Sequence, residues 1–219
     1  MKHEFSIEKP EGLKELWPGY FSVFCWLDEI ITTPHWISMI TTRKANGKSN
    51  ACLDNSVGFL GGQGAYSVVM SVTEGGHTYA NIMQEKEWCI CIPSWAIRKQ
   101  CNVTIECNHE DNDEILDAGL TVEDAVVVRA PRIAECSVCV ECRFSWSHKL
   151  AEGERLHIIA GKVVHVGVDE QALTTDTDEK LERMGLHYYV HDILNPLTLE
   201  RSGYCSAQLT LLDESKPEV

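Results

Sequence analysis

The sequence predicts a mainly β fold with a few helices, closed as a barrel or stacked as a sandwich. Two observations carry that expectation. Apolar or alternating runs of strand length recur at 35–42, 66–72, 88–92, 136–146 and 156–168, bounded by turn residues. Between them only short stretches have the caps and period of a helix, which leaves strands to build the core. With 219 residues and 44% hydrophobic content, the chain can bury that core as one large domain or two small ones.

In chain order, residues 1–33 read as an N-terminal extension packing on a main domain at 34–219. Pro10, Gly12, Pro18 and Gly19 punctuate the extension, and its apolar patch Tyr20–Trp26 has strand character. From Pro34 the pattern is a strand at His35–Thr42, a basic turn at Arg43–Lys48, a polar segment at Ser49–Ser56 and a strand at Tyr66–Val72. Gly75-Gly76 then opens a short helix to about Glu85, with Thr78 as its N-cap. A second helix follows Pro93, capped by Ser94, and carries Trp95 and Ile97 towards Cys107. The acidic stretch His109–Glu114 predicts a solvated loop, because consecutive like charges repel and no calcium-loop spacing is present. Near the C-terminus a short acidic helix at Asp178–Met184 ends at Gly185, before an extended His187–His191 and the interruption at Pro196.

Charge narrows the partners. The chain carries a formal net charge of -14 with a pI near 5.0, so nucleic acid and anionic membrane are not expected partners. No secretory signal and no membrane-length apolar run occurs, which predicts a cytoplasmic protein. The 10 cysteines lie in apolar runs such as Trp88–Ile92 and read as reduced, mostly buried thiols. Against that background the window Pro34–Asn81 stands out: Arg43, Lys44 and Lys48 face only Asp54 and Glu74, so it is locally +1 where the chain is -14. A phosphate site needs several N–H and O–H donors near a helix start. Lys48-Ser49-Asn50-Ala51 and Thr78-Tyr79-Ala80-Asn81 supply such groups, and the same residues read about equally well as ordinary turn and cap residues.

Three other motifs have structural readings. Cys136, Cys139 and Cys142 have iron–sulfur spacing but no fourth cysteine, and as a strand they would place Cys136 and Cys142 on one face and Cys139 on the other. His187 and His191 lie four apart beside Asp192, in a segment whose tyrosines and valine favour extended structure and that has no third ligand nearby. Gly61-Gly62-Gln63-Gly64 precedes a strand, whereas a dinucleotide fingerprint follows one and opens a helix.

Taken together, these landmarks resemble the flavin reductase-like family. Pro34 with the strand after it, Thr41-Thr42 followed by Asn46-Gly47-Lys48-Ser49-Asn50-Ala51, and Thr78-Tyr79-Ala80-Asn81-Ile82 at a helix start are similar to its signatures. Cys91-Ile92-Pro93-Ser94, Ala118-Gly119-Leu120-Thr121, Ala130–Cys136, Glu141-Cys142 and Gly161-Lys162-Val163 follow in the family's order. Weaker echoes lie at Pro196-Leu197 and Arg201–Tyr204.

The resemblance implies an FMN-binding split β-barrel that dimerises. It implies that Asn50, Ala51, Cys52, Leu53, Asp54 and Ser56 lie along the flavin ring and ribityl chain, with Thr78 and Asn81 at the phosphate. NADH, NADPH or a redox protein would be the electron donor. A flavoredoxin-like carrier is the alternative within the fold, and a non-flavin metal or cluster protein using Cys136, Cys139 and Cys142 the alternative outside it. Two features depart from the family: Gly153-Glu154-Arg155-Leu156-His157 stands near its Gly-Asp-His, and Gly61–Ala65 stands where a double proline is common.

Overall fold

The computed structural model describes residues 2–13, 26–31, 33–62, 64–173, 176–190, 194–195, 197–200 and 205–209. They fall into two compact units, one spanning Trp36–His187 and the other Met1–His35 with Tyr188–Gln208. The smaller unit holds helix α1 (Trp26–Ile31), so Trp26 begins a helix, while 20–25 lie outside the described residues. Its core is Leu13, Trp26 and Leu194, with Leu27, Ile30 and Leu199 against them. Trp26 Nε1 donates to the Ile7 carbonyl at 3.0 Å, which satisfies the polar end of a buried indole.

The larger unit is organised by strands. After β1 (His35–Trp36) come β2 (Ser38–Arg43), β3 (Ser49–Asp54), β4 (Gly58–Gly62) and β5 (Ala65–Thr73). Helix α2 (His77–Glu85), β6 (Glu87–Ile92), α3 (Arg98–Glu106) and α4 (Glu114–Asp117) follow. Then come β7 (Val122–Glu123), β8 (Arg132–Ile133), β9 (Val138–Lys149), β10 (Leu156–Val168), α5 (Thr177–Met184) and β11 (His187–Val190), whose residues from Tyr188 belong to the smaller unit, as does β12 (Cys205–Gln208). Seven strands form one antiparallel sheet in the order β3-β2-β6-β9-β10-β5-β4. Two smaller sheets pair β7 with β8 and join β1, β11 and β12.

Two stretches outside the expected strands are strands. The polar segment after the basic turn is β3, paired with β2 from Arg43↔Ser49 to Ser38↔Asp54. Gly61 and Gly62 end β4, with Gly61 opposite Tyr66 of β5. A further difference lies at α2: its N-cap is Gly76, with no side-chain cap, and Thr78 sits inside the first turn.

The centre of the sheet is buried on both faces. Trp88 and Ile90 of β6 join one cluster with Ile40, Met70, Ile82, Val140, Cys142 and Ile159, while Cys89 and Cys91 join another with Met39, Ile115, Ile133 and Cys139. That accounts for the unbroken apolar run of this central strand. Cys136 precedes β9 and belongs with Cys139, not with Cys142 as strict alternation predicts, because the strand begins only at Val138. Gly161 of β10 lies under Trp88, where an added Cβ would come within 2.2 Å of the indole. A glycine is required there by close packing.

The segment between β7 and β8 is held by one buried carboxylate. Glu141, fully buried in β9, accepts the N–H groups of Val126 at 2.8 Å, Val127 at 2.6 Å and Val128 at 3.1 Å, and Arg132 Nη2 pairs with it. Burial raises its pKa, but these donors outweigh burial and hold it below the ordinary 4.5. Glu141→Gln is therefore expected to lose about 3 kcal/mol of stability at neutral pH, read by denaturant unfolding. A depressed carboxyl stabilises the fold fully above its unfolded pKa and loses that contribution as pH falls through the folded one. The gap between wild type and Glu141→Gln should thus be constant above 4.5 and narrow below it.

Candidate functional site

Helix α2 lies against β2 and β3 through four buried polar side chains. Asn50 of β3 donates from Nδ2 to Thr78 Oγ1 at 3.0 Å, and Asn81 donates from Nδ2 to Thr42 Oγ1 at 2.9 Å. Amide and hydroxyl alternate between strand and helix, so each side chain has a partner away from water. The first turn of α2 remains open: Gly76 offers no side-chain acceptor to its N–H groups, and a helix start carries partial positive charge.

The basic turn does different work from that expected. Lys44 is buried, with Nζ donating to the carbonyls of His109 at 2.7 Å and Asn112 at 3.0 Å and lying 3.0 Å from Glu114 Oε1. Asn46 donates to the Glu110 carbonyl at 2.8 Å, Lys48 to that of Asp111, and Arg43 to those of Gly47 and Arg129. The acidic stretch is consequently a docked segment, not a freely solvated loop. Asp113 accepts from Ser49 N–H at 3.0 Å, and Glu114 from Ala51 N–H at 2.8 Å. Burial raises the Glu114 carboxyl, opposed by the Ala51 N–H, Lys44 and His77.

Of the residues singled out from sequence, Asn50, Ala51, Thr78 and Asn81 are buried, whereas Cys52, Leu53 and Asp54 are half-buried and Ser56 is exposed at the end of β3. Asp54 Oδ1 accepts from Ser56 N at 2.6 Å and from Ser56 Oγ at 2.8 Å. Burial raises the Asp54 carboxyl and, with Asp54 beside it, pushes the Cys52 thiol up to about 12. Five of the eight thus lie in β3, Ser56 lies two residues beyond it, and Thr78 and Asn81 lie in the first half of α2. His77 opens α2, with Nε2 3.5 Å from Glu110 and Nδ1 3.9 Å from Glu114.

A constellation beside this site had no assigned role in the sequence. His157 Nδ1 lies 3.2 Å from Ser147 Oγ and 3.5 Å from Tyr79 OH, and its Nε2 lies 3.5 Å from Glu74. Glu74 also pairs with Lys149 at 3.2 Å, which with His157 holds its carboxyl below the ordinary value. Tyr79 follows Thr78 in α2, so the cluster adjoins the helix start. Only the antiparallel pairing of β10 with β5 and β9 brings these groups together.

The other motifs stay apart from it. Cys139 and Cys142 lie in separate clusters, and no group of three or more metal-ligating side chains suited to a metal occurs among the described residues. His187 is buried against Trp95, with burial lowering its pKa, and His191 lies outside the described residues. Also among the described residues, no helix is long and apolar enough to cross a membrane.

An antiparallel barrel-type sheet with a helix start set against two adjacent strands defines a split-barrel protein, and comparison with known proteins agrees. The chain belongs to the flavin reductase family: residues 31–208 match the flavin reductase like domain. Its fold is similar to that of a split-barrel protein of the flavin reductase kind from Shewanella frigidimarina NCIMB 400, with TM-score 0.69 and 22% identity over 88% of this chain and 91% of that one. It is also similar to nitrilotriacetate monooxygenase component B from Bacillus cereus, with TM-score 0.71 and 16% identity over 94% and 100% of the two chains. Flavoredoxin of Desulfovibrio vulgaris (Miyazaki F) gives TM-score 0.67 and 19% identity over 92% and 96%. An uncharacterized protein of Aquifex aeolicus (strain VF5) is 29% identical over 119 residues, 52% of this chain, and the match spans 59% of that relative's length. The family match supports a flavin-related oxidoreductase.

Thr78→Val removes the acceptor of a buried amide and is expected to cost about 1–3 kcal/mol in denaturant unfolding. Asn50→Leu combined with it should cost less than the sum of the single changes, since no unpaired group then remains. Glu114→Ala should cost about 3 kcal/mol or more, because it leaves the Lys44 ammonium buried and the Ala51 N–H unpaired.

Proposed function

We infer that the chain binds FMN along β3 and the start of α2, and that NADH or NADPH reduces it, in a cytoplasmic homodimer. The observation that carries this reading is the uncapped first turn of α2, flanked by Asn50, Thr78 and Asn81 within the segment matching the family. Open N–H groups beside short polar side chains fit a phosphate, which needs several convergent donors and gains from the helix dipole. The Thr78 hydroxyl accepts from Asn50 and carries a proton of its own to donate, for which the Cys52 sulfur competes. The half-buried backbone of Cys52, Leu53 and Asp54 would line the flavin ring, with Ser56 at its outer end.

FMN supplies the chemistry when bound, its ring accepting a hydride from a nicotinamide. The protein binds, orients and excludes water. Lys44 is engaged with Glu114 and two carbonyls, so local attraction near the helix start falls to its backbone N–H groups and to the Arg155 guanidinium, which lies beside Gly75 and donates to the Glu74 carbonyl. With a chain charge of -14, attraction for the phosphate is local, and binding should be only moderately salt-dependent.

Purified protein should be yellow or should take up FMN to one per chain in an absorbance titration. Rapid mixing with NADH or NADPH should bleach the flavin band. Failure to take up FMN overturns the reading, whereas FMN-loaded protein that neither nucleotide reduces is a flavoredoxin-like carrier fed by a redox protein.

A further inference from the structure

Cys91 and Cys139 face each other across β6 and β9, with their Sγ atoms 3.4 Å apart. The backbone pattern settles what kind of pair they are. Phe144 N–H donates to the Lys86 carbonyl at 2.9 Å, which makes those opposed residues a hydrogen-bonded pair. The register runs unshifted from there, and pair types alternate, so Cys91 and Cys139 form a non-hydrogen-bonded pair. In such pairs the Cα atoms are about 4.5 Å apart and the side chains lie closer. That separation falls within the roughly 4.4–6.8 Å that disulfides span. Both side chains point into one cluster, with Met39, Cys101 and Ile133.

We propose that Cys91 and Cys139 are a redox-modification site, a thiol pair that a small hydroperoxide converts into a cross-strand disulfide. The partner must be small, because Cys91 is 0% and Cys139 4% exposed. Cys139, the more exposed of the two, reacts first. Its sulfur attacks one peroxide oxygen; the S–O bond forms, the O–O bond breaks, and water or an alcohol leaves with the thiol proton. The Cys91 sulfur then attacks Cys139; the S–S bond forms, the S–O bond breaks, and the hydroxyl leaves as water with the second thiol proton. The two sulfurs lose two electrons and the peroxide bond gains them.

Neighbouring thiols, Cys136 beside Cys91 and Cys91 beside Cys139, together with burial hold both groups well above the ordinary thiol range, so thiolate is scarce and the reaction quickens as pH rises. Cys136 sits beside Cys91 in the same cluster and is the competing partner. The register favours Cys139, because Cys136 lies ahead of β9. The cross-link would close the segment holding α3, α4, β7 and β8 across the two central strands.

The test treats the full chain with hydrogen peroxide at neutral and mildly alkaline pH, blocks remaining thiols with N-ethylmaleimide in denaturant, and maps peptides by mass spectrometry. Expected is a Cys91–Cys139 linked peptide lacking two hydrogens, with Cys89 recovered as a blocked thiol. It should form faster at the higher pH, disappear on reduction, be absent from Cys139→Ser and persist in Cys136→Ser and Cys142→Ser. Recovery of both residues as blocked thiols, their conversion to sulfinic or sulfonic acids without a link, or a Cys91–Cys136 link in the wild type would overturn the proposal. The Cys136→Ser arm keeps the test decisive if Cys139→Ser does not fold.

Discussion

The edge of β3 is the constraint on which the site depends. Every second N–H of an edge strand points outward with no strand to receive it, and here Ser49 and Ala51 would present such groups. Asp113 and Glu114, consecutive in the chain, place their carboxylates on those two N–H groups. The clamp closes the edge against further pairing and fixes β3 against β2. Asn50, between the two clamped residues, is thereby held where its amide meets Thr78, and α2 is positioned in turn. A buried carboxylate is costly unless paired, and Lys44 supplies the pairing. The chain of support runs from the acidic segment through the edge strand to the helix start.

The same logic appears across the sheet in Glu141. Loop 124–131 has no ladder partners for its backbone, and Glu141 with Arg132 gathers three of its N–H groups onto one buried carboxylate. Asp113, Glu114 and Glu141 thus act as acceptors for backbone N–H groups within the fold. Net charge alone would cast them as surface solvation.

The local excess of positive charge in the window 34–81 was sound as arithmetic and misleading as chemistry. Its three cations meet backbone carbonyls and a buried carboxylate of the same chain, so the turn serves docking more than ligand attraction. What remains for an anion is the backbone of α2 and short polar side chains. These groups recognise shape and hydrogen-bonding pattern, which suits a protein whose overall field repels anions.

The sequence by itself determined the β framework, because alternation and apolar runs report directly on which faces are buried. Strand β10 coincides with the run 156–168, and Gly185 ends α5 in the left-handed conformation expected of a helix stop. Family membership was legible too, since it rests on ordered local motifs. Only the tertiary structure decided the rest. Ser49–Asp54 looks like a polar turn until an edge strand is supplied with carboxylates from residues more than sixty positions away. The placement of His157 beside Tyr79 and Glu74, and of Cys91 against Cys139, depends on strand register. Periodicity fixes which face a residue occupies, but register fixes which residue it meets, and register is set by contacts distant in sequence.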